Sequence, residues 1–177
     1  QDYLNNPRVV ILPIVPANVD FHNSGIMSDA KEVDPKSLRS IPVITKPDLV
    51  DRGAEGEVMK LLKGEKVQFV LGFHMCKCRG QLEINEGKSL DAAVRSETEF
   101  FSAQQPWRGE SDRSLFGVIE LRKKLSQIQI EMIQKSIPGI LAEIQTKLSC
   151  AERELSELGG MNSSTRERRQ QFSTAFN

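Results

Sequence analysis

Val43 to Asp51 reads VITKPDLVD, a β-branched run that stops at a polar cluster and passes into residues suited to starting a helix. The run belongs to Ser40 to Thr45, SIPVIT, which predicts a buried strand. Downstream, Asp51, Glu55 and Glu57 favour a helix N-terminus, and Val58, Met59, Leu61 and Leu62 give that helix an apolar side before the break at Gly64. Working outward, Arg8 to Val15 reads RVVILPIV between Pro7 and Pro16, as expected of a strand buried on both faces. A helix should follow it, capped by Ser24, with Ile26, Met27, Ala30 and Val33 at helical spacing and Pro35 closing it. A third strand, Val67 to Cys78, leads into Arg79, Gly80 and Gln81. Strands alternating with helices of about ten residues predict parallel βαβ units, so the first half reads as an α/β fold with a three-stranded parallel sheet.

The second half changes character. Leu90 to Phe101 is amphipathic, and Gln104 to Asp112, QQPWRGESD, reads as a connector with turn chemistry. Val118, Leu121, Leu125, Ile128 and Met132 then step by three and four, and a second run from Ile137 through Leu141, Ile144, Leu148, Ala151 and Leu155 to Leu158 keeps a heptad rhythm. The runs differ in phase, and the slip falls at Pro138, which cannot donate a helical hydrogen bond. Two helices, or one strongly kinked helix, should meet there. Gly159 and Gly160 end the second, and the polar residues 161–177, with Arg166, Arg168 and Arg169, read as a mobile loop with a solvated basic face.

Thr45, Lys46 and Asp48 fall where a parallel strand gives way to a helix, and open parallel sheets bind ligands at the carboxyl ends of their strands. A carboxylate at that place can accept two hydrogen bonds from the N1 and N2 edge of guanine, whereas adenine would leave it unsatisfied at a cost of a few kcal/mol. The lysine stem can lie along the purine face. This is the TKxD form of a guanine-specificity motif, and the same letters also arise where Thr45 and Asp48 merely cap a helix. Lys77 to Gln81, KCRGQ, ends the next strand and would close over base and ribose.

With these segments in view, the chain resembles the dynamin superfamily of large GTPases, and within it is most similar to Mx-type GTP-binding proteins. The resemblance is carried in order by IVPANVD (Ile14 to Asp20), AKEVDP (Ala30 to Pro35), VITKPDLVDRG (Val43 to Gly53), KCRGQ, ETEFF (Glu97 to Phe101) and SIPGI (Ser136 to Ile140). It implies that Lys46 and Asp48 contact guanine, that Thr45 supports their loop and that Asp51 lies near base and ribose. Cys78 takes the place of an asparagine of conventional dynamins, Arg79 and Gln81 match their arginine and glutamine, and Gly80 replaces a serine. Asp20 falls in a loop that bridges paired GTPase domains, and Pro138 matches a hinge-like entry to the stalk. Residues 1–104 would be the C-terminal half of the GTPase domain, a partial P-loop-type sheet, 105–136 a connector and bundle helix, and 137–177 the start of the helical stalk. GTP with Mg²⁺ would be the ligand, and a homo-oligomer formed through GTPase domain and stalk the assembly. Membrane or target binding would lie in regions outside this segment.

The sequence has no GxxxxGK[ST] loop; at Gly87, Lys88 and Ser89 the first glycine is missing, because Leu82 stands at its place. No aspartate is followed three places later by glycine, so the second switch is unrecognisable as well. The segment should therefore be inactive alone, a fragment of a larger GTPase or a truncated paralogue. With 24 basic and 24 acidic side chains in 177 residues, the net charge is zero, which does not support an electrostatic grip on nucleic acid. A signal peptide and an apolar run of about 20 residues are both lacking, and Cys76, Cys78 and Cys150 form no even framework; a reducing, cytoplasmic setting is expected. His74, Cys76 and Cys78 alternate along one strand, but zinc sites generally want four ligands at looser spacing, and His22 is remote in sequence, so buried strand cysteines are the reading adopted. Trp107, Phe100 and Phe101 should anchor the connector, and Arg122 to Lys124 should be a solvated face.

Overall fold

A computed structural model describes residues 3–21, 24–157 and 173. His22, Leu158, Gly159, Gly160 and the arginine-bearing tail lie outside them. Three parallel strands, β1 (Ile14–Pro16), β2 (Val43–Thr45) and β3 (His74–Cys76), form a sheet in that order. Five helices accompany them: α1 (Gly25–Val33), α2 (Glu55–Leu62), α3 (Gln81–Asn85), α4 (Leu90–Ala103) and α5 (Val118–Glu157). The fold is thus mixed α/β with a three-stranded parallel sheet and a long C-terminal helix. The chain divides into two compact units, residues 1–132 and 133–177.

Each strand is shorter than its apolar run suggests. Prolines explain two of them. Ile11 donates to the Arg39 carbonyl and accepts from Ile41, each at 2.9 Å, so the chains already run side by side there. Pro13 and Pro42 have no N–H to give, although their carbonyls accept the Val43 and His74 amides at 2.8 and 3.0 Å, and regular pairing begins only at Ile14 and Val43. The expected strand from Val67 is taken up largely by turns, with Gly72 at φ 67°, and only His74–Cys76 pair. The register aligns Val15 with Ile44 and Met75, and Pro16 with Thr45 and Cys76.

Val15, Ile44 and Met75 face a core completed by Phe21, Met27, Leu62, Phe69, Phe73, Phe100, Phe101, Trp107 and Phe116. Helix α2 contributes Leu62, and α4 contributes Phe100 and Phe101, as their apolar spacing requires. Trp107 does anchor the connector: it is buried in the 3₁₀ turn Trp107–Gly109. The connection from α1 to β2 is fixed by buried Asp34, whose carboxylate accepts from the Leu38 and Arg39 amides and from the Ser40 hydroxyl. In the run that leads into β1 the alternate residues Leu12 and Ile14 stay exposed, although the run reads as buried on both faces.

Two further expectations are narrowed or corrected. Pro138 lies inside α5, so of two helices or one kinked helix the single helix is the form found. A proline costs one helical hydrogen bond and crowds the preceding turn, and here the surrounding turns on both sides keep helical form. Lys124 is not part of a solvated basic face: it is partly buried, its Nζ stands 3.4 Å from the Phe73 carbonyl, and burial lowers its pKa below the usual lysine range.

Candidate guanine-reading edge

The common register of Pro16, Thr45 and Cys76 brings the carboxyl ends of all three parallel strands to one edge of the sheet. The segments that follow, Ala17 to Asp20, Lys46 to Asp51 and Lys77 to Gln81, leave from that edge. Thr45 is buried, and its carbonyl accepts the Ala17 amide at 2.7 Å, tying the first two segments together.

Lys46 adopts left-handed backbone angles, φ 55° and ψ 50°. For a residue with a Cβ this costs on the order of 1–3 kcal/mol and persists only where the surroundings fix it. Buried Pro47 follows directly, opening the 3₁₀ turn Pro47–Leu49. No side chain caps that turn. Thr45 and Asp48 are therefore not serving as helix caps, and capping gives no account of the TKPD letters. Among the described residues the Lys46 ammonium and the Asp48 carboxylate make no hydrogen bond or ion pair, and both are exposed. Asp51 is exposed two residues past the turn, its carbonyl accepting the Ala54 amide at 2.9 Å.

The neighbouring segment is more tightly held. Arg79 donates from Nη1 to the Lys88 carbonyl at 2.6 Å, and the Gly80 amide donates to Glu83 Oε2 at 2.9 Å. Gln81 begins α3, its amide nitrogen 2.9 Å from Asn85 Oδ1. Helix α3 adds to the elements that the apolar spacing predicts; Gly80 is its N-cap, and Glu83 returns to the Gly80 amide. Lys88 Nζ lies 2.5 Å from Glu83, which closes the segment into a loop; that hydrogen bond, with the one from Gly80, holds the Glu83 carboxyl below its ordinary range. Cys78 is exposed, whereas burial pushes the Cys76 thiol up to about 12. No group of His, Cys, Asp and Glu suited to a metal occurs among the described residues. Asp20 is exposed at the end of the first segment, and it has a partner of its own.

This arrangement can be set beside known proteins. Residues 57–176 match the family described as the dynamin central region. The chain belongs to the dynamin family. Among its relatives within that family are the interferon-induced GTP-binding proteins MxB of Danio rerio, 32% identical over 157 residues, and Mx2 of Bos taurus, 36% identical over 159 residues. Mx1 of Oncorhynchus mykiss is 34% identical over 159 residues. These alignments cover 89–90% of this dynamin-family chain and 22–26% of each relative, so the chain spans about a quarter of their length.

Proposed function

We propose that this chain is the guanine-reading part of a dynamin- or Mx-like large GTPase, a protein that hydrolyses GTP and self-assembles through a helical stalk. One observation carries the reading: three loops share the carboxyl edge of a parallel sheet, and the loop with strained Lys46 presents an unengaged carboxylate and an unengaged ammonium. An unpaired, exposed Asp48 is suited to accept the N1 and N2 hydrogens of guanine, and Lys46 to lie along the purine face. Thr45 supports the turn from beneath, and Asp51 approaches base and ribose. Cys78, Arg79 and Gln81 flank the base from the adjoining loop; the present partners of Arg79 and Gln81 keep that loop closed on itself. The relatives' printed names, GTP-binding proteins, support the ligand class.

The sequence offers nothing to hold phosphates. The phosphate-binding loop and the Mg²⁺ ligands would come from sequence outside this segment, and exposed Leu12 and Ile14 in the run that leads into β1 are where such a half-domain would pack. Bound Mg²⁺ would supply charge neutralisation at the β- and γ-phosphates. The segment alone is therefore expected to be inactive. Residues 1–104 form the base-reading half-domain, 105–136 the connector and bundle helix, and 137–177 the stalk entry, with Pro138 as a hinge. Asp20 contributes to pairing of GTPase domains, and the protein works in the cytoplasm. No helix among the described residues is long and apolar enough to cross a membrane.

A second reading is favoured by the exposed stripe of Ile137, Leu141, Ile144, Leu148 and Leu155 on α5: a helical interaction module in which the TKPD loop is a relic. Asp48→Asn in the longer protein separates the two. It should weaken GTP affinity by about 100-fold, the worth of a lost charged hydrogen-bond pair, as measured by titration with a fluorescent guanine nucleotide. Unchanged affinity would reject the guanine-reading assignment and leave the helical module.

A further inference from the structure

Glu97 is an acidic side chain with almost no access to solvent, 4% exposed, in the middle of α4. Its two oxygens have separate duties. Oε1 accepts the Lys77 amide at 2.8 Å, and Oε2 accepts the Val118 amide at 2.9 Å. Lys77 is the first residue past β3, directly before Cys78 and Arg79, and Val118 is the first residue of α5. The Val118 amide is one of the four donors that a helix start leaves without an internal partner, and a carboxylate there also faces the positive end of the helix dipole. Bonds from amides to an ionised acceptor are roughly twice as strong as neutral ones, more so where water is excluded.

The backbone around this carboxylate is shaped to receive it. Gly117 sits at φ +87°, and a Cβ there would lie 3.4 Å from Glu97 Oε2. The Gly117 amide donates to the Met75 carbonyl at 2.8 Å, and its carbonyl lies 2.8 Å from His74 Nε2. The end of β3 and the start of α5 are thus joined by two direct bonds and, through Glu97, by a third connection that alone reaches the loop segment.

We propose that Glu97 is a positioning residue for the nucleotide loop, holding the Lys77–Gln81 segment in register with the first turn of α5. Its functional consequence rests on the guanine-reading assignment above; the hold itself does not. The test uses the longer protein, with the isosteric Glu97→Gln, which keeps one acceptor and turns an NH₂ group toward the other amide. Val118→Pro is the second variant: it removes only the helix-side donor, at a position where a helix tolerates proline. Two quantities are read, amide hydrogen exchange by peptide and the dissociation rate of a fluorescent guanine nucleotide. Glu97→Gln should raise exchange in the peptide containing Lys77 by about 10-fold while Val43 to Thr45 stays protected, and should speed nucleotide release by a similar factor. Val118→Pro should move both readouts in the same direction by a smaller factor. Exchange at Lys77 left unchanged by Glu97→Gln would overturn the hold, and no response to Val118→Pro would overturn the link to α5. If exchange rises in both variants but nucleotide release does not, the positioning role is overturned while the hold stands. Asp48→Asn in the same protein tests the guanine-reading assignment separately, so failure of one is not mistaken for failure of the other.

Discussion

The two units of this chain differ in whether their described residues gather an apolar core. In residues 1–132 one set of large apolar groups converges on a core, with Phe73, Phe101 and Trp107 1–2% exposed and Phe21 and Phe69 packed against Phe73 at ring-centroid distances of 5.5 and 5.3 Å, while others such as Leu38, Val70, Leu82 and Leu90 stay 59–70% exposed. In residues 133–177 the described apolar residues Ile137, Leu141, Ile144, Leu148 and Leu155 are 46–60% exposed. A helix gains most of its stability in a protein from packing an apolar face. The first unit therefore supplies its own reasons to fold, while the second carries a pattern written for a partner. A substitution should accordingly matter in proportion to which unit it enters.

The largest effect is expected at Phe73. Replacing a buried aromatic by alanine removes its transfer free energy and leaves a cavity, together about 3–5 kcal/mol. Phe73→Ala should lower the unfolding free energy of the segment, measured by denaturant titration, by that amount or leave it unfolded. A loss below about 1 kcal/mol would mean that the aromatic cluster is loosely packed and that the contrast between the units is weaker than the burial suggests.

The same contrast governs what the sequence discloses. Alternation of apolar runs with helix signals reveals the parallel α/β class and the approximate places of α1, α2 and α4, because both depend on local patterning. Strand ends are not legible, because the missing N–H of Pro13 and Pro42 matters only through the pairing of Ile11 with Ser40 and Ile41, which is non-local. Pro138 leaves a choice that the letters do not decide: its local penalty allows either two helices or one, and the chain forms one. Of the candidate site, TKPD and KCRGQ can be read as letters, but the left-handed Lys46 and the double duty of Glu97 cannot. A left-handed residue ahead of a buried proline, and a carboxylate bridging amides 20 residues before and 21 after it, are set by the folded surroundings. Lys124 shows the same limit, since Arg122 and Lys123 are exposed while its own Nζ reaches the Phe73 carbonyl, 51 residues away in sequence.

A smaller effect, specific to the folded unit, is expected from His74. It is fully buried, with Nε2 donating to the Gly117 carbonyl and Nδ1 without a partner among the described residues. Burial pushes its pKa below the ordinary 6.5; the Gly117 carbonyl opposes that push, Lys124 adds to it and Glu120 opposes it. The folded state thus takes up this proton at lower pH than the unfolded chain. Stability from this group is complete above about pH 6.5 and is lost as pH falls from there toward the folded pKa. Unfolding midpoints followed between pH 7.5 and 5 should fall on the acid side, and His74→Met should flatten that part of the curve. An unchanged slope in the variant would assign the acid sensitivity to other groups.

The smallest effect is expected in the second unit, at Leu148. Half-exposed on α5, it has little burial to lose, so Leu148→Lys should alter the stability of the isolated segment by no more than about 0.5 kcal/mol, the range of ordinary surface changes. Lysine is as good a helix former as leucine, so helicity measured by circular dichroism should also be kept. That near-silence carries information only beside its counterpart. In the longer protein, where the stripe would have its partner, the same lysine would put a charge into an apolar contact, and self-association measured by sedimentation should weaken markedly. Equal silence in both settings would mean that the heptad rhythm from Ile137 to Leu155 is surface patterning, and the distinction between a self-sufficient unit and a partner-dependent one would fail at the helix that defines it.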